Sequence, residues 1–90
     1  MRPVVSPNPV RSHAAISFAT SRPGHIRADV FDASGRRVRR LTGETEYAAG
    51  WHTFALDGRN DRGSALPAGM YFYRIVSADG NATGRFVLLK

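Results

Sequence analysis

Apolar residues in this chain return at every second position, in short bursts cut by glycine-, proline- and Asx-rich turns. Alternation of that period sends successive side chains to opposite faces of a strand. A helix would need a stripe at i, i+3, i+4 and i+7, and no such stripe of useful length is present. The strongest burst runs from Met70 to Ser77, with Tyr71, Tyr73 and Ile75 on one face. Ile26, Ala28 and Val30 alternate with Arg27 and Asp29, which predicts a strand with one solvated face.

The same reading gives Val4-Val5 as a short first strand, broken by Ser6-Pro7-Asn8-Pro9, because proline cannot donate to a central ladder. His13 to Thr20 is a strand with Ile16 and Phe18 on one face. Arg22-Pro23-Gly24 and Asp32-Ala33-Ser34-Gly35 are turns. Arg36 to Leu41 follows, anchored by Val38 and Leu41, and Thr42 to Gly50 reads as a polar connection around Tyr47. In Trp51 to Leu56, His52, Phe54 and Leu56 share a face. Asp57 to Gly69 is a long loop, and Asp79-Gly80 signals a hairpin into a last strand, Thr83 to Leu89.

About seven short strands with closely spaced turns predict an all-β, immunoglobulin-like antiparallel β-sandwich. With 90 residues, one core and one domain over residues 1–90 are expected. Cysteine is absent, which excludes disulfides, cysteine zinc sites and cysteine nucleophiles. The sandwich must therefore rest on apolar packing. No apolar run approaches the ~20 residues of a membrane-spanning helix. The opening "MRPVVSPNPV" has no apolar h-region, so it is not expected to be a signal peptide; the signal of an exported parent would lie upstream.

The net charge is +6, and nearly all the positive charge is arginine, with Lys90 the only lysine. That permits contact with an anionic membrane surface. Nucleic acid is not expected as a partner, because base stacking wants exposed aromatics and most aromatics here fall on predicted core faces. No catalytic residues are expected: Ser34 is not in a nucleophile elbow, and no carboxylate pair or triad stands out. No metal site or cofactor is expected either. His13, His25 and His52 are dispersed, and in the Asp57–Gly63 loop an EF-hand pattern fails at Arg59 and Ala68. Asp57, Asn60 and Asp61 suit Asx-type turns instead.

Several segments carry a resemblance. They are "SPNPV", "ISF", "GHIRADVFDASGRRVRRL", "AAGWHTFALDGRNDRGSALPAGMYFYRI" and "RFVLLK", in that order. Together they resemble the C-terminal sorting domain (type A) of type IX secretion cargo, and equally the immunoglobulin-like domain of flagellar hook-capping proteins. The likeness covers about Ser6 to Lys90. Its most specific piece is Asp57 to Gly63 followed by Pro67 to Arg74. One departure is Leu56, where the family often has tryptophan before Asp-Gly; Trp51 lies five residues earlier.

The resemblance implies a secreted or cell-surface bacterial parent, exported through the periplasm. It implies a non-enzymatic module read by the outer-membrane translocon, removed by a sortase-like peptidase, and joined covalently to an upstream cargo domain. The elements that matter in such domains fall on Pro7, Asn8 and Pro9, on Gly69 and Tyr71, and on the terminal Phe86, Val87, Leu88, Leu89 and Lys90. An exposed apolar terminal strand could add to a partner's sheet, with Lys90 fixing its register. The alternatives are an immunoglobulin-like spacer or hook-cap-type assembly module, and an accessory carbohydrate-binding domain centred on Trp51.

Each element also has a purely structural reading. The two prolines stiffen the opening segment. Tyr71 suits a tyrosine corner, its hydroxyl bonded back to nearby backbone. The arginine run Arg36 to Arg40 suits a charged edge strand that resists edge-to-edge pairing, with little of it buried. Trp51 is expected to cover one end of the sandwich. Phe86 and Leu88 are expected to pack inward.

Overall fold

The computed structural model describes residues 1–89, the side chains of residues 43 and 44 left aside. Seven strands follow one another: β1 (Val4–Ser6), β2 (Ala14–Thr20), β3 (Gly24–Phe31), β4 (Arg37–Tyr47), β5 (Gly50–Leu56), β6 (Gly69–Ser77) and β7 (Gly80–Leu88). They form two sheets, ordered β1-β2-β5 and β4-β3-β6-β7. All neighbouring strands are antiparallel.

The inward phase of each strand builds the core. Ile16 and Phe18 from β2 meet Ile26, Ala28 and Val30 from β3, Tyr71, Tyr73 and Ile75 from β6, and Phe86 and Leu88 from β7. Val10, Leu56 and Leu66 close the end where the long loop crosses. Fully burying a side chain such as Phe18 stabilises the fold by about 1.5–3 kcal/mol. With no disulfide, burial of this kind carries the fold. His52 lies half-buried, as its phase predicts, packing on Phe18 and on the edge of Tyr47.

Five expectations need correction. The segment Thr42 to Tyr47 is not a connection; it is the second half of β4, an edge strand of 11 residues with bulges against β3. Its pairing with β3 comes through backbone hydrogen bonds, which a polar run can make as well as an apolar one. Asp29 lies on the outward phase, as its alternation predicts, but not in water. It is 5% exposed, and Arg40 Nε at 3.0 Å and Arg27 Nε at 3.3 Å cover it. Arg39 and Arg40 are correspondingly half-buried, more than the expectation of little burial along the arginine run.

Trp51, finally, covers nothing. It is 78% exposed because β5 sends His52, Phe54 and Leu56 inward and Trp51 outward, opposite Ala19. The last hairpin also shifts by one residue, and β7 starts at Gly80 rather than Thr83. Ser77 pairs with Gly80, so Ala78 and Asp79 form the turn. A primed turn on Asp79-Gly80 would need a positive φ at Asp79; among the described residues only glycines take positive φ, Gly80 among them at 118°.

Candidate recognition site

The first residues of β6 lie against the last residues of β7. Gly69 pairs with Leu88, Met70 with Val87 and Tyr71 with Phe86. The Tyr71 and Phe86 rings stack with centroids 5.8 Å apart. The Tyr71 hydroxyl donates to the Pro67 carbonyl at 2.6 Å, four residues upstream, which is the expected tyrosine-corner bond. Burial pushes the Tyr71 phenol above its ordinary value, with Asp32 adding to the effect.

The opening segment reaches the same place from the other end of the sequence. Proline has no N–H, so Pro7 and Pro9 cannot donate to a ladder. The ladder is replaced by a side chain and one isolated bridge. Asn8 Oδ1 accepts the Val87 N–H at 3.2 Å. The Val10 N–H donates to the Val87 carbonyl at 2.7 Å, and the Leu89 N–H donates to the Val10 carbonyl at 2.7 Å. Val10 is itself fully buried, in a parallel bridge with Leu88. The Ser6–Pro7 and Asn8–Pro9 peptide bonds are both cis.

The three predicted elements, some 80 positions apart in sequence at their extremes, thus form one composite end of the sandwich. Pro7, Asn8, Pro9 and Gly69 are exposed there; Val87 and Leu89 are half-buried; Tyr71, Phe86 and Leu88 are core. Lys90 lies outside the described residues. One part of the expectation changes. The end of β7 is not a free edge, because the outward groups of Val87 and the Leu89 N–H are already bonded to Asn8 and Val10. By the antiparallel alternation, outward-facing backbone remains at Asn81, Thr83 and Arg85. Val10, which seals the edge, was missed; a lone apolar residue after two prolines was its only signal.

Beside this end runs the loop between β5 and β6. Asp57 Oδ1 accepts the Arg59 N–H and Asn60 Oδ1 accepts the Arg62 and Ser64 N–H groups, as Asx turns require. Asp61 does something else: its carboxylate accepts the Arg40 N–H at 2.9 Å, and its own N–H donates to the Val38 carbonyl. Arg39 reaches Asp57 and Asp61 at 3.6 and 3.9 Å. The loop's acidic side chains are therefore engaged with backbone and arginine, and they brace the outer edge of β4.

A three-plus-four antiparallel sandwich with a tyrosine corner and no disulfide defines an immunoglobulin-like domain. The sequence profile of the FlgD Ig-like domain matches residues 11–81, and the chain belongs to that family. Among solved structures, dimeric latent PorU from Porphyromonas gingivalis superposes with a TM-score of 0.77 at 19% identity, over 97% of this chain and 9% of PorU. PorZ, a surface component of the type-IX secretion system of the same organism, gives 0.65 at 18% identity, over 98% of this chain and 11% of PorZ. FlgD from P. aeruginosa gives 0.65 at 22% identity, over 96% of this chain and 70% of that one. At these identities the likeness establishes a shared fold. No curated protein sequence matches the chain.

Proposed function

We propose that this domain is a C-terminal sorting module of an exported bacterial protein, non-enzymatic in itself and recognised by the outer-membrane type IX machinery. Secretion or display at the cell surface, cleavage by a sortase-like peptidase and an upstream cargo domain belong to the same reading. The observation that carries it is the clasp: Pro7 to Val10, Gly69 to Tyr71 and the end of β7 form one surface. Packing accounts for Tyr71, Phe86 and Leu88. Asn8 bonds the Val87 N–H and Gly69 takes a positive φ of 153°, so both also serve the fold; with Pro7 and Pro9 they are nevertheless exposed and present a stiff, shape-defined handle at the end of the sandwich. Likeness to PorU and PorZ supports the reading at the level of fold.

Recognition would use this preformed shape more than strand addition at the far end of β7, whose outward groups are occupied. The test is a reporter carried behind a signal peptide and ahead of this domain, expressed in a bacterium with the machinery. Export to the medium is expected with the wild-type domain. It should fall when Phe86 to Lys90 are removed and fall partway with Asn8→Ala, each variant accompanied by a thermal melt. Equal export with and without the domain would sink the proposal.

The family match supports a second reading equally, that of an immunoglobulin-like assembly or spacer module with no sorting role. In that case the reporter stays in the periplasm whatever the variant, and the domain holds together a larger assembly of its parent protein.

A further inference from the structure

A solvated sheet face is ordinarily polar, and the outer face of β4-β3-β6-β7 departs from this along β6, where Met70 and Phe72 share the outward phase. Phe72, on the outward phase of β6, is 39% exposed. In the register it lies opposite Phe31 on one side and Arg85 on the other. These three, with Arg74, Thr83 and the turn at Ala33, line a shallow groove of about 590 Å³. That volume lies within the range of ligand sites, roughly 300–1,000 Å³.

The groove's charge is unbalanced. Arg74 stands opposite Asp29 in the ladder, but Arg40 takes Asp29 Oδ1 and Arg27 takes Oδ2. Asp32 on the rim is held by Ser34, whose hydroxyl donates at 2.6 Å, and by Arg36 at 3.4 Å. Among the described residues, Arg74 and Arg85 have no carboxylate within ion-pair distance, and neither has Arg37 opposite Phe31. Arg74 and Arg85 stand diagonally across β6 and β7, within reach of one bound segment. Nothing in the core requires them, nor the phenylalanine floor between them.

We propose that this groove binds an extended acidic segment of a partner protein. Carboxylates would take the Arg74 and Arg85 guanidiniums, which suit two-point recognition. An aromatic or apolar side chain between them would cover Phe31 and Phe72. A protein segment fits better than a bilayer, because the charge pattern offers two separate guanidiniums flanking an aromatic pair rather than a broad basic surface. It fits better than nucleic acid, which wants protruding aromatic faces. None of these residues belongs to the clasp, so the inference stands apart from the sorting proposal.

The probe is a fluorescein-labelled random copolymer of glutamate and tyrosine, titrated with the domain and read by anisotropy. Poly-glutamate, phosphatidylglycerol vesicles and duplex DNA are parallel arms. The copolymer should bind more tightly than poly-glutamate. Arg74→Ala with Arg85→Ala should weaken it at least about tenfold through lost charge-assisted bonds. Arg11→Ala with Arg62→Ala removes the same net charge from exposed positions elsewhere and should change binding by less than about twofold. Phe72→Ser should abolish the preference for the copolymer. All five positions are exposed, and circular dichroism checks the fold. The proposal is overturned by no binding, by equal loss in the two double variants, or by vesicles or DNA binding more tightly through Arg74 and Arg85.

Discussion

Gly84 offers a substitution whose sign tests the packing of the sandwich. Its backbone is not in the left-handed region. Replacing such a glycine by alanine ordinarily stabilises a protein by about 0.4–1 kcal/mol, through the unfolded chain. Here a Cβ would stand 2.1 Å from Tyr73 Oη, 2.3 Å from Cζ and 2.7 Å from Cε2. Ordinary contact is about 3.5–4.0 Å, so the ring would have to retreat by more than an ångström. Tyr73 is buried in the core cluster and cannot swing into water. Overpacking of this kind costs about 1–3 kcal/mol, and a shift this large belongs near the upper end. Net of the entropic gain, Gly84→Ala should lose about 2 kcal/mol. In a domain of this size that lowers the melting temperature by roughly 8–16 °C. Thermal and urea melts measure it. In a Tyr73→Leu background, where the ring is gone, the same Gly84→Ala should be neutral or stabilising. A single variant as stable as wild type would refute the reasoning.

Asp29→Ala strands the Arg40 and Arg27 guanidiniums beside an emptied site; because both reach water, the expected loss is about 2 kcal/mol rather than the full penalty of a buried broken pair, read by urea unfolding. Acid stability depends on two turns. The Ser21 N–H, with help from its hydroxyl, holds the Asp79 carboxyl below its ordinary value, and the Ser34 hydroxyl does so most strongly for Asp32. The unfolded chain then binds these protons first as pH falls. Their stabilisation is present above about pH 4 and is lost as pH drops through the lower folded values. The melting temperature should decline below that point, and Asp79→Asn should flatten the decline. Trp51→Ala should change stability by less than about 0.5 kcal/mol, since the side chain lies in water. Emission of this single tryptophan should be readily quenched by acrylamide; strong protection would mean that the outer face of β5 is covered in solution. A glycan array that loses signal with Trp51→Ala would revive the carbohydrate-binding reading, and a blank array would close it.

The fold class was legible because a half-buried strand writes its two faces directly into alternating residues. Ile16 with Phe18, Ile26 with Ala28 and Val30, and Tyr71 with Tyr73 and Ile75 were all assigned correctly from phase alone. Local turn chemistry was legible for the same reason: the Asx turns at Asp57 and Asn60 involve neighbours only a few residues away. Where partners are remote, the sequence is silent. Asp29 looks solvated until β4 brings Arg40 across it. Trp51 looks like a cover until β5 proves to have nothing above that face among the described residues. The polar stretch Thr42 to Tyr47 becomes a strand only because β3 is there to pair with it. For the candidate site, sequence resemblance named the pieces, but only the sandwich closure decided that Asn8 and Val10 seal the outer edge of β7. Phase is a local property that a chain carries with it. Which residues face one another across sheets is set by long-range register, and that exists only once the core has formed.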